Sequence, residues 1–311
     1  MKGLELSRRY FEAFGPSLFA GLPADVRAQA AVGLVGPGSE CLGFDDELSR
    51  DHDFGPGFCI WLPAAVFDVW GPELQRRYDA LPRTFLGFTR PQAAPLSGKR
   101  VGVFETGSFL RAFTGLDRPP ATSREWLAIP EQFLAVVSGG EVFVDEGSGI
   151  SAARRVYEGF YPEPVVRQKV AANLATMAQA GQYNLPRCLS RGDAVAAGAA
   201  RAEFACALMA VLHLLSRVYM PFYKWSFRSL VERTAAGRAY AARIEALVAA
   251  PVRTVRAGEV ECLCAGVLGA VRALGWTGCA SDFLLDAALD IHGRIEDEYL
   301  RACPLGAGAY A

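Results

Sequence analysis

The chain contains 311 residues, of which 51% are hydrophobic and 21% charged. This composition is that of a folded protein and excludes a disordered chain, and the length favours two domains of roughly 150 residues each. Lys plus Arg number 32 against 33 Asp plus Glu, so there is no global field to attract nucleic acid or an anionic membrane.

The sequence predicts a cytoplasmic protein without a membrane-spanning segment. Its longest strongly apolar stretch without charge, residues 204–216, is shorter than the ~20 residues that cross a bilayer. Glu5, Arg8 and Arg9 interrupt the N-terminal region, where a secretory signal requires an unbroken apolar run.

The eight cysteines are scattered through apolar surroundings along the chain. This distribution is typical of reduced thiols that serve as small hydrophobic side chains. Cys262 and Cys264 are separated by one residue, a spacing that does not fit a structural zinc site. We therefore expect neither a disulfide framework nor zinc.

Helical and alternating patterns predict an α+β protein. The first half alternates helices at 3–20, 24–31, 63–81 and 124–138 with strands or apolar runs at 32–35, 53–62, 100–106 and 141–145. The second half reads as helices throughout, at 163–181, 193–218, 226–249, 257–274 and 280–301. The predicted domains are therefore 1–150, with a small sheet, and 151–311, an all-helical bundle.

Segment 36–53 carries the chemistry that the sequence indicates. Gly38 follows a short apolar strand and lets the backbone approach a phosphate, and Ser39 adds a hydroxyl and an N–H at a helix start. Asp51 and Asp53 are two residues apart, so in an extended segment both carboxylates lie on one face. Such a pair suits Mg²⁺ bound together with substrate phosphates, although an Asp-x-Asp tripeptide alone is also typical of a solvated acidic turn.

The order of strand, Gly-Ser, helix-compatible segment and Asp-x-Asp resembles the nucleotidyltransferase superfamily, which includes aminoglycoside and lincosamide nucleotidyltransferases. More closely, the chain resembles an uncharacterised nucleotidyltransferase-like family with five recognisable segments. In this chain they read GLVGPGSE (33–40), GFDDELSRDHD (43–53), GEVFVD (140–145), GQYN (181–184) and YMPFYKW (219–225).

The resemblance implies a small mixed sheet that carries the metal site, followed by helices that close over the nucleotide. It implies that Gly38 and Ser39 contact the triphosphate and that Asp51 and Asp53 bind Mg²⁺. It also implies a third carboxylate on a later strand, which would complete the site or activate the acceptor hydroxyl.

The chain departs from the superfamily pattern at this third carboxylate. Gly102 stands where the acid is expected on strand 100–106, and Glu105, three residues further on, should face the opposite side. Asp145 is a second candidate, but an acid that ends a strand before Glu-Gly is typical of a turn or cap residue. Glu105 and Asp145 are therefore both carried forward as candidate catalytic residues.

Lys224 is the candidate phosphate ligand in the helical half. The chain uses only four lysines against 28 arginines, and this one lies among aromatic residues in MPFYKW. A compact ammonium suits a phosphate as a point charge. The alternative is a lysine whose stem covers the aromatic cluster while its charge stays in water.

Asn184 and Arg187 are further candidates for nucleotide binding. Together with Arg191 they have a spacing that allows one helical face. They could contact substrate or phosphate, or form an ion-paired face with Asp193.

The predicted function is Mg²⁺-dependent transfer of a nucleoside monophosphate from ATP or another NTP to a hydroxyl of a small molecule. The predicted partners are the nucleotide and that acceptor, with no nucleic acid and no membrane. One alternative is a nucleotide-binding regulator or scaffold of the same fold without turnover. A third hypothesis is a helical interaction protein whose Asp-x-Asp forms a turn.

Overall fold

The computed structural model describes residues 1–50, 54–90 and 99–310. It is a mixed α+β protein, as the sequence predicts. Up to residue 159 the elements are α1 (Gly3–Leu18), α2 (Ala24–Ala28), β1 (Ala31–Leu34), α3 (Ser39–Leu42), a 3₁₀ turn (Leu48–Arg50), β2 (Cys59–Leu62), α4 (Ala64–Asp79), β3 (Thr84–Phe85), β4 (Phe88–Thr89), β5 (Gly102–Glu105), α5 (Thr106–Thr114), α6 (Ser123–Ala128), α7 (Glu131–Ser138), β6 (Glu141–Asp145) and α8 (Ile150–Glu158).

From residue 160 onward the described elements are all helical. They are α9 (Glu163–Met177), a π-helical segment (Ala178–Asn184), α10 (Leu185–Ser190), α11 (Ala194–Leu215), α12 (Tyr223–Arg233), α13 (Ala235–Ala249), a 3₁₀ turn (Val252–Thr254), α14 (Ala257–Ala273), α15 (Leu284–Gly293) and α16 (Glu298–Ala302). Helical periodicity in the sequence locates most of these helices, but two of the predicted stretches are each broken into two helices.

The breaks have local causes. Within 226–249 the backbone of Thr234 is extended, and its hydroxyl accepts the N–H of Gly237 at 2.7 Å, which ends α12 and caps α13. Within 280–301 the carboxylate of Asp297 accepts the N–H of Leu300 at 3.0 Å and starts α16. Side-chain capping therefore interrupts sequence that has continuous helical periodicity.

Contacts divide the chain into two compact units that are not continuous in sequence. The first unit is Met1–Pro119 with Gln132–Gly159, and the second is Pro120–Glu131 with Phe160–Ala311. The predicted boundary at residue 150 assigns 120–131 to the first domain, whereas the contacts assign it to the second. Ser123 Oγ lies 2.6 Å from Asp297 Oδ2, and Trp126 packs edge-on against Tyr161, so this segment is held by residues far along the chain.

The first unit contains a four-stranded mixed sheet with the strand order β5-β2-β1-β6. Strands β2 and β5 are parallel and pair Cys59 with Gly102, while β1 is antiparallel to both of its neighbours. A bulge in β1 falls at Gly33, where a Cβ would collide with the carbonyl of Glu141. Glycine is therefore needed in this strand because another backbone approaches it closely.

Both faces of the sheet are covered. Ile60 and Leu62 of β2 belong to a buried cluster with Tyr10 of α1 and Leu74 of α4. Trp61, from the alternate position of β2, packs against Phe109 of α5 with ring centroids 5.4 Å apart, and its indole is fully buried. Burial on both faces accounts for the unbroken apolar sequence of β2.

The second unit is built around α9, which is flanked by α11 and α15. Helix α11 is the helix of the described chain that is long and apolar enough to span a membrane by length and composition. This helix begins ten residues before the charge-free stretch 204–216, and its first half contains the charged residues Arg201 and Glu203. Phe204, Leu208 and Leu212 of this helix are buried in the unit, as in the core helix of a globular protein.

Candidate functional site

The end of β1 and the beginnings of β2 and β5 lie at the same edge of the sheet, which we call the turn edge. Since β1 is antiparallel to β2 and β2 is parallel to β5, the glycine turn Gly36–Gly38 after β1 and Arg100 before β5 both lie there. The predicted phosphate-binding residues Gly38 and Ser39 are therefore at this edge.

The two predicted Mg²⁺ ligands, Asp51 and Asp53, lie outside the described residues. In the sequence they precede β2, whose first residue, Cys59, is at the turn edge. Within residues 1–50, 54–90 and 99–310, no group of three or more His, Cys, Asp or Glu side chains is arranged to hold a metal ion. The Mg²⁺ site stays a prediction that depends on these two carboxylates.

Gly38 lies directly against two charged side chains. Its φ of −69° is ordinary for any residue, and it precedes Ser39, the first residue of α3. A Cβ at Gly38 would collide with the guanidinium of Arg100 and the carboxylate of Glu40. These two groups form an ion pair, with Arg100 Nη2 donating to Glu40 Oε1 at 2.7 Å, so a charged pair lies directly against the glycine turn.

Glu40 and Arg100 are charged residues of the turn edge that the sequence analysis does not single out. Their side chains are 12% and 21% exposed, respectively. Glu40 is part of the GSE triplet, but nothing in the local pattern connects it with Arg100, which follows 60 residues later.

Asp45, in the GFDDE segment, is a second residue that the sequence analysis passes over. It is 4% exposed, and its carboxylate accepts the N–H of Gly3 at 2.8 Å and lies 3.4 Å from Lys2 Nζ. The favourable interaction of a carboxylate with a helix N-terminus explains this position. Asp45 thus anchors the start of α1 beside the turn edge.

Glu105, a candidate for the third carboxylate, lies at the opposite edge of the sheet. It pairs with Leu62 at the far end of β2, about 10 Å along the strand from Cys59. Its carboxylate caps α5, accepting the N–H groups of Gly107 at 2.7 Å and Ser108 at 2.5 Å. Partial burial opposes ionisation, but these hydrogen bonds outweigh it and lower the pKa of Glu105.

Asp145, the other candidate, also lies at the opposite edge, because it pairs with the first residue of β1, Ala31. Its carboxylate accepts the N–H groups of Gly147, Ser148 and Ser151 at 3.1, 3.0 and 2.9 Å. Burial raises its pKa, but the hydrogen bonds have the larger effect, so the pKa is lowered. The geometry is that of a turn cap, the alternative that the sequence also indicates.

The superfamily pattern predicts an acid at the position of Gly102. Replacing Gly102 with Asp or Glu would require the local backbone and neighbouring side chains to rearrange. Its φ is +116°, a conformation that favours glycine, and a Cβ would meet the side chains of Gln75 and Lys99. The described part of the turn edge therefore contains no strand-borne carboxylate at the expected position.

The three candidates from the helical half belong to the second unit. Lys224 is an exposed residue in the first turn of α12, with Nζ 5.7 Å from the ring of Trp225. Asn184 ends the π-helical segment, and Arg187 lies in α10 with its guanidinium 4.7 Å from the ring of Tyr183.

The alternative for the helical face was an ion pair with Asp193. Among the described contacts, the carboxylate of Asp193 instead forms a helix cap. It accepts the N–H of Ala196 at 3.0 Å and caps α11.

The π-helical segment contains the GQYN motif, and such segments occur frequently at functional sites. Gln182 of this motif donates to Glu261 at 2.8 Å and accepts the N–H of Leu284 at 2.9 Å, so it joins three parts of the second unit.

A family model described as a domain of unknown function, DUF4037, matches residues 126–226. The matched region contains the GQYN and YMPFYKW segments but not the glycine turn or the Asp-x-Asp pair. Comparison with curated proteins finds no match, and comparison with solved structures finds none either.

Proposed function

We propose that this chain is a Mg²⁺-dependent nucleotidyltransferase that moves a nucleoside monophosphate from ATP or another NTP to a hydroxyl of a small molecule. The supporting observation is the turn edge, where the glycine turn follows β1 and where β2 begins. Because Asp51 and Asp53 precede β2 in the sequence, phosphate-binding and metal-binding groups would be supplied from neighbouring positions.

In this proposal the acceptor hydroxyl releases its proton to water and its oxygen forms a bond to the α-phosphorus, while the bond to the bridging oxygen breaks and pyrophosphate leaves. The backbone at Gly38 and the hydroxyl of Ser39 hold the phosphates. Orientation of the reacting groups supplies much of the rate enhancement in phosphoryl and nucleotidyl transfer. No role is assigned to Glu105 or Asp145, since both cap backbone at the opposite edge of the sheet.

Asp51 and Asp53 would hold the metal, because carboxylate oxygens are the hard ligands that Mg²⁺ takes alongside phosphate. When bound, the metal would neutralise charge on the α-phosphate and the leaving pyrophosphate. The carboxylates repel each other in the absence of a cation, so we expect nucleotide and metal to bind cooperatively.

The test is incubation of the protein with α-labelled NTPs, Mg²⁺ and a metabolite extract, followed by mass spectrometry for an added nucleoside monophosphate. Asp51→Asn and Asp53→Asn should each abolish transfer and keep the melting temperature, because each removes a metal ligand. Asp68→Asn, on α4 in the same unit, is the control and should transfer normally. Near-normal pyrophosphate release by both Asp51 and Asp53 variants would refute the metal assignment.

In the helical half, the proposed nucleotide ligand is Lys224, and Asn184 and Arg187 are further candidates. Lys224→Met should melt normally and weaken ATP–Mg²⁺ binding at least about tenfold, since a charge-assisted contact is lost. Arg228→Met, on the same helix, is the control. Normal melting with undiminished ATP binding would remove Lys224 from the site and favour a lysine that only covers Trp225.

A nucleotide-binding regulator or scaffold of the same fold is the second candidate function. Gly102 at the expected acid position and the capping roles of Glu105 and Asp145 favour it. The two functions differ in whether bound ATP is consumed. Binding without any labelled product across the metabolite extract would support the regulator.

A further inference from the structure

We propose, resting on the function proposed above, that Arg100 binds the polyphosphate of the nucleotide at the turn edge and that Glu40 is the counter-charge with which the phosphate competes. The inferred ligand class is a di- or triphosphate. The charged pair that these two residues form against Gly38 is the observation from which the assignment starts.

The backbone around Arg100 is fixed beside the start of β2. The N–H of Gly102 donates to the carbonyl of Phe58 at 2.9 Å, and the thiol of Cys59 lies 3.4 Å from the carbonyl oxygen of Arg100. Burial raises the pKa of Cys59 to about 12, so the thiol stays protonated and can donate. Arg100 therefore projects from a fixed point at the turn edge.

The guanidinium occupies the space next to the Cα of Gly38, at the position that a Cβ would take. A phosphate that approaches the backbone of this turn would consequently meet the guanidinium. The planar fork of arginine matches two phosphate oxygens at once, and the 21% exposure of the side chain leaves it accessible from solvent.

Glu40 is held from two sides. On one side its carboxylate accepts from Arg100, and on the other its Cβ packs against Gly3, where a side chain would collide with it. A carboxylate in this position orients the guanidinium but also repels an arriving anion. Removal of the Glu40 charge should therefore strengthen anion binding, whereas removal of the Arg100 charge should weaken it.

These opposite signs separate a binding role from a purely structural one. A structural ion pair would lose stability when either partner is replaced, and neither replacement would raise the affinity for an anion. The titration uses inorganic tripolyphosphate and ATP in EDTA, so that no divalent cation contributes. Calorimetry is run on the full chain, on Arg100→Gln, on Glu40→Gln and on the control Arg111→Gln, which breaks an exposed ion pair with Asp117 in the same unit.

We expect Arg100→Gln to bind tripolyphosphate at least about tenfold more weakly than the wild type. Glu40→Gln should bind it several-fold more tightly, and Arg111→Gln should match the wild type. Unchanged binding by Arg100→Gln, or weaker or unchanged binding by Glu40→Gln, would overturn the assignment. If Arg100→Gln does not fold, Glu40→Gln decides alone by the same criterion.

Failure of this inference can be distinguished from failure of the proposed function. If the wild type has transfer activity, and Arg100→Gln keeps both this activity and its tripolyphosphate binding, only the role of Arg100 is overturned. Tripolyphosphate binding that depends on Arg100, in a protein that forms no labelled product, would uphold Arg100 and overturn transfer.

Discussion

His213 is a fully buried titratable residue in the second unit. Its Nδ1 lies 2.8 Å from the carbonyl oxygen of Met209, and its Nε2 lies 3.2 Å from Ser229 Oγ. Burial lowers the pKa of His213 from its ordinary 6.5 to about 4. His213 lies between Leu212 and Leu214 in α11 and is part of the buried core of this unit.

The low pKa makes stability depend on pH in a defined direction. Between about pH 6.5 and pH 4 the unfolded chain binds a proton at His213 that the folded chain excludes, so stability falls as pH falls. From pH 7.5 to pH 5 the loss should be about 2 kcal/mol. Urea unfolding of the wild type and His213→Gln at both pH values measures it, and a wild-type advantage that does not shrink at pH 5 would contradict it.

A buried ion pair joins Glu131, at the start of α7, to Lys169 of α9. Lys169 Nζ lies 3.7 Å from Glu131 Oε2, and both side chains are less than a tenth exposed. The other oxygen of Glu131 accepts the N–H of Met220 at 2.8 Å. Burial raises the pKa of Glu131 and lowers that of Lys169, and in each case the attraction of the partner opposes the shift. The pair holds three separated parts of the chain together.

Lys169→Met should cost about 3–5 kcal/mol because it leaves the Glu131 carboxylate buried without its cation. Glu131→Gln should be destabilising for the converse reason. The double variant should lose clearly less than the sum of the two, since no unpaired charge remains. A double-mutant cycle by urea unfolding measures this coupling, and additive losses would show that the pair contributes nothing as a pair.

The π-helical segment depends on a glycine where it meets α11. A Cβ at Gly181 would collide with the ring of Phe204, whereas Gly198 in α11 faces open space. Gly181→Ala should therefore cost about 1–3 kcal/mol, and the control Gly198→Ala should gain up to about 1 kcal/mol through helix propensity. Phe204→Leu should rescue part of the Gly181→Ala loss. Equal effects of the two glycine replacements on thermal melting would rule out this contact as the cause.

The second unit is discontinuous in sequence, so cutting the chain at one point separates residues that belong to this unit. A fragment 160–311 would contain Lys169 but lack Glu131, which belongs to the second unit. Its buried ammonium would have lost its counter-charge. The fragment should accordingly melt at a lower temperature than the full chain.

The effect of Lys169→Met should then reverse sign with context. It should destabilise the full chain, where it leaves the carboxylate of Glu131 without its cation, and stabilise the fragment, where Lys169 has no counter-charge. Circular dichroism melting of the four proteins tests this expectation. Destabilisation in both contexts would mean that the lysine acts through the packing of its stem.

Local patterns in the amino-acid sequence predict several elements of this fold. Helical periodicity located α9, α11 and α14, and apolar alternation located β5 and β6 within a few residues. The segment GLVGPGSE predicted a strand that runs into a turn and a helix, and β1, the glycine turn and α3 follow in that order. Hydrophobic period and turn chemistry act over a few residues, so they can be read without knowledge of the fold.

The pairing of strands and the packing of separate segments set which distant residues contact each other. Strand pairing put Glu105 and Asp145 at the edge opposite the glycine turn, and it brought Arg100 against Gly38 from 60 residues away. The same holds for Glu131 and Lys169, which form an ion pair within the second unit, to which segment 120–131 belongs. Strand register and long-range ion pairs depend on how separate segments pack, and the pattern within any one segment does not carry that information.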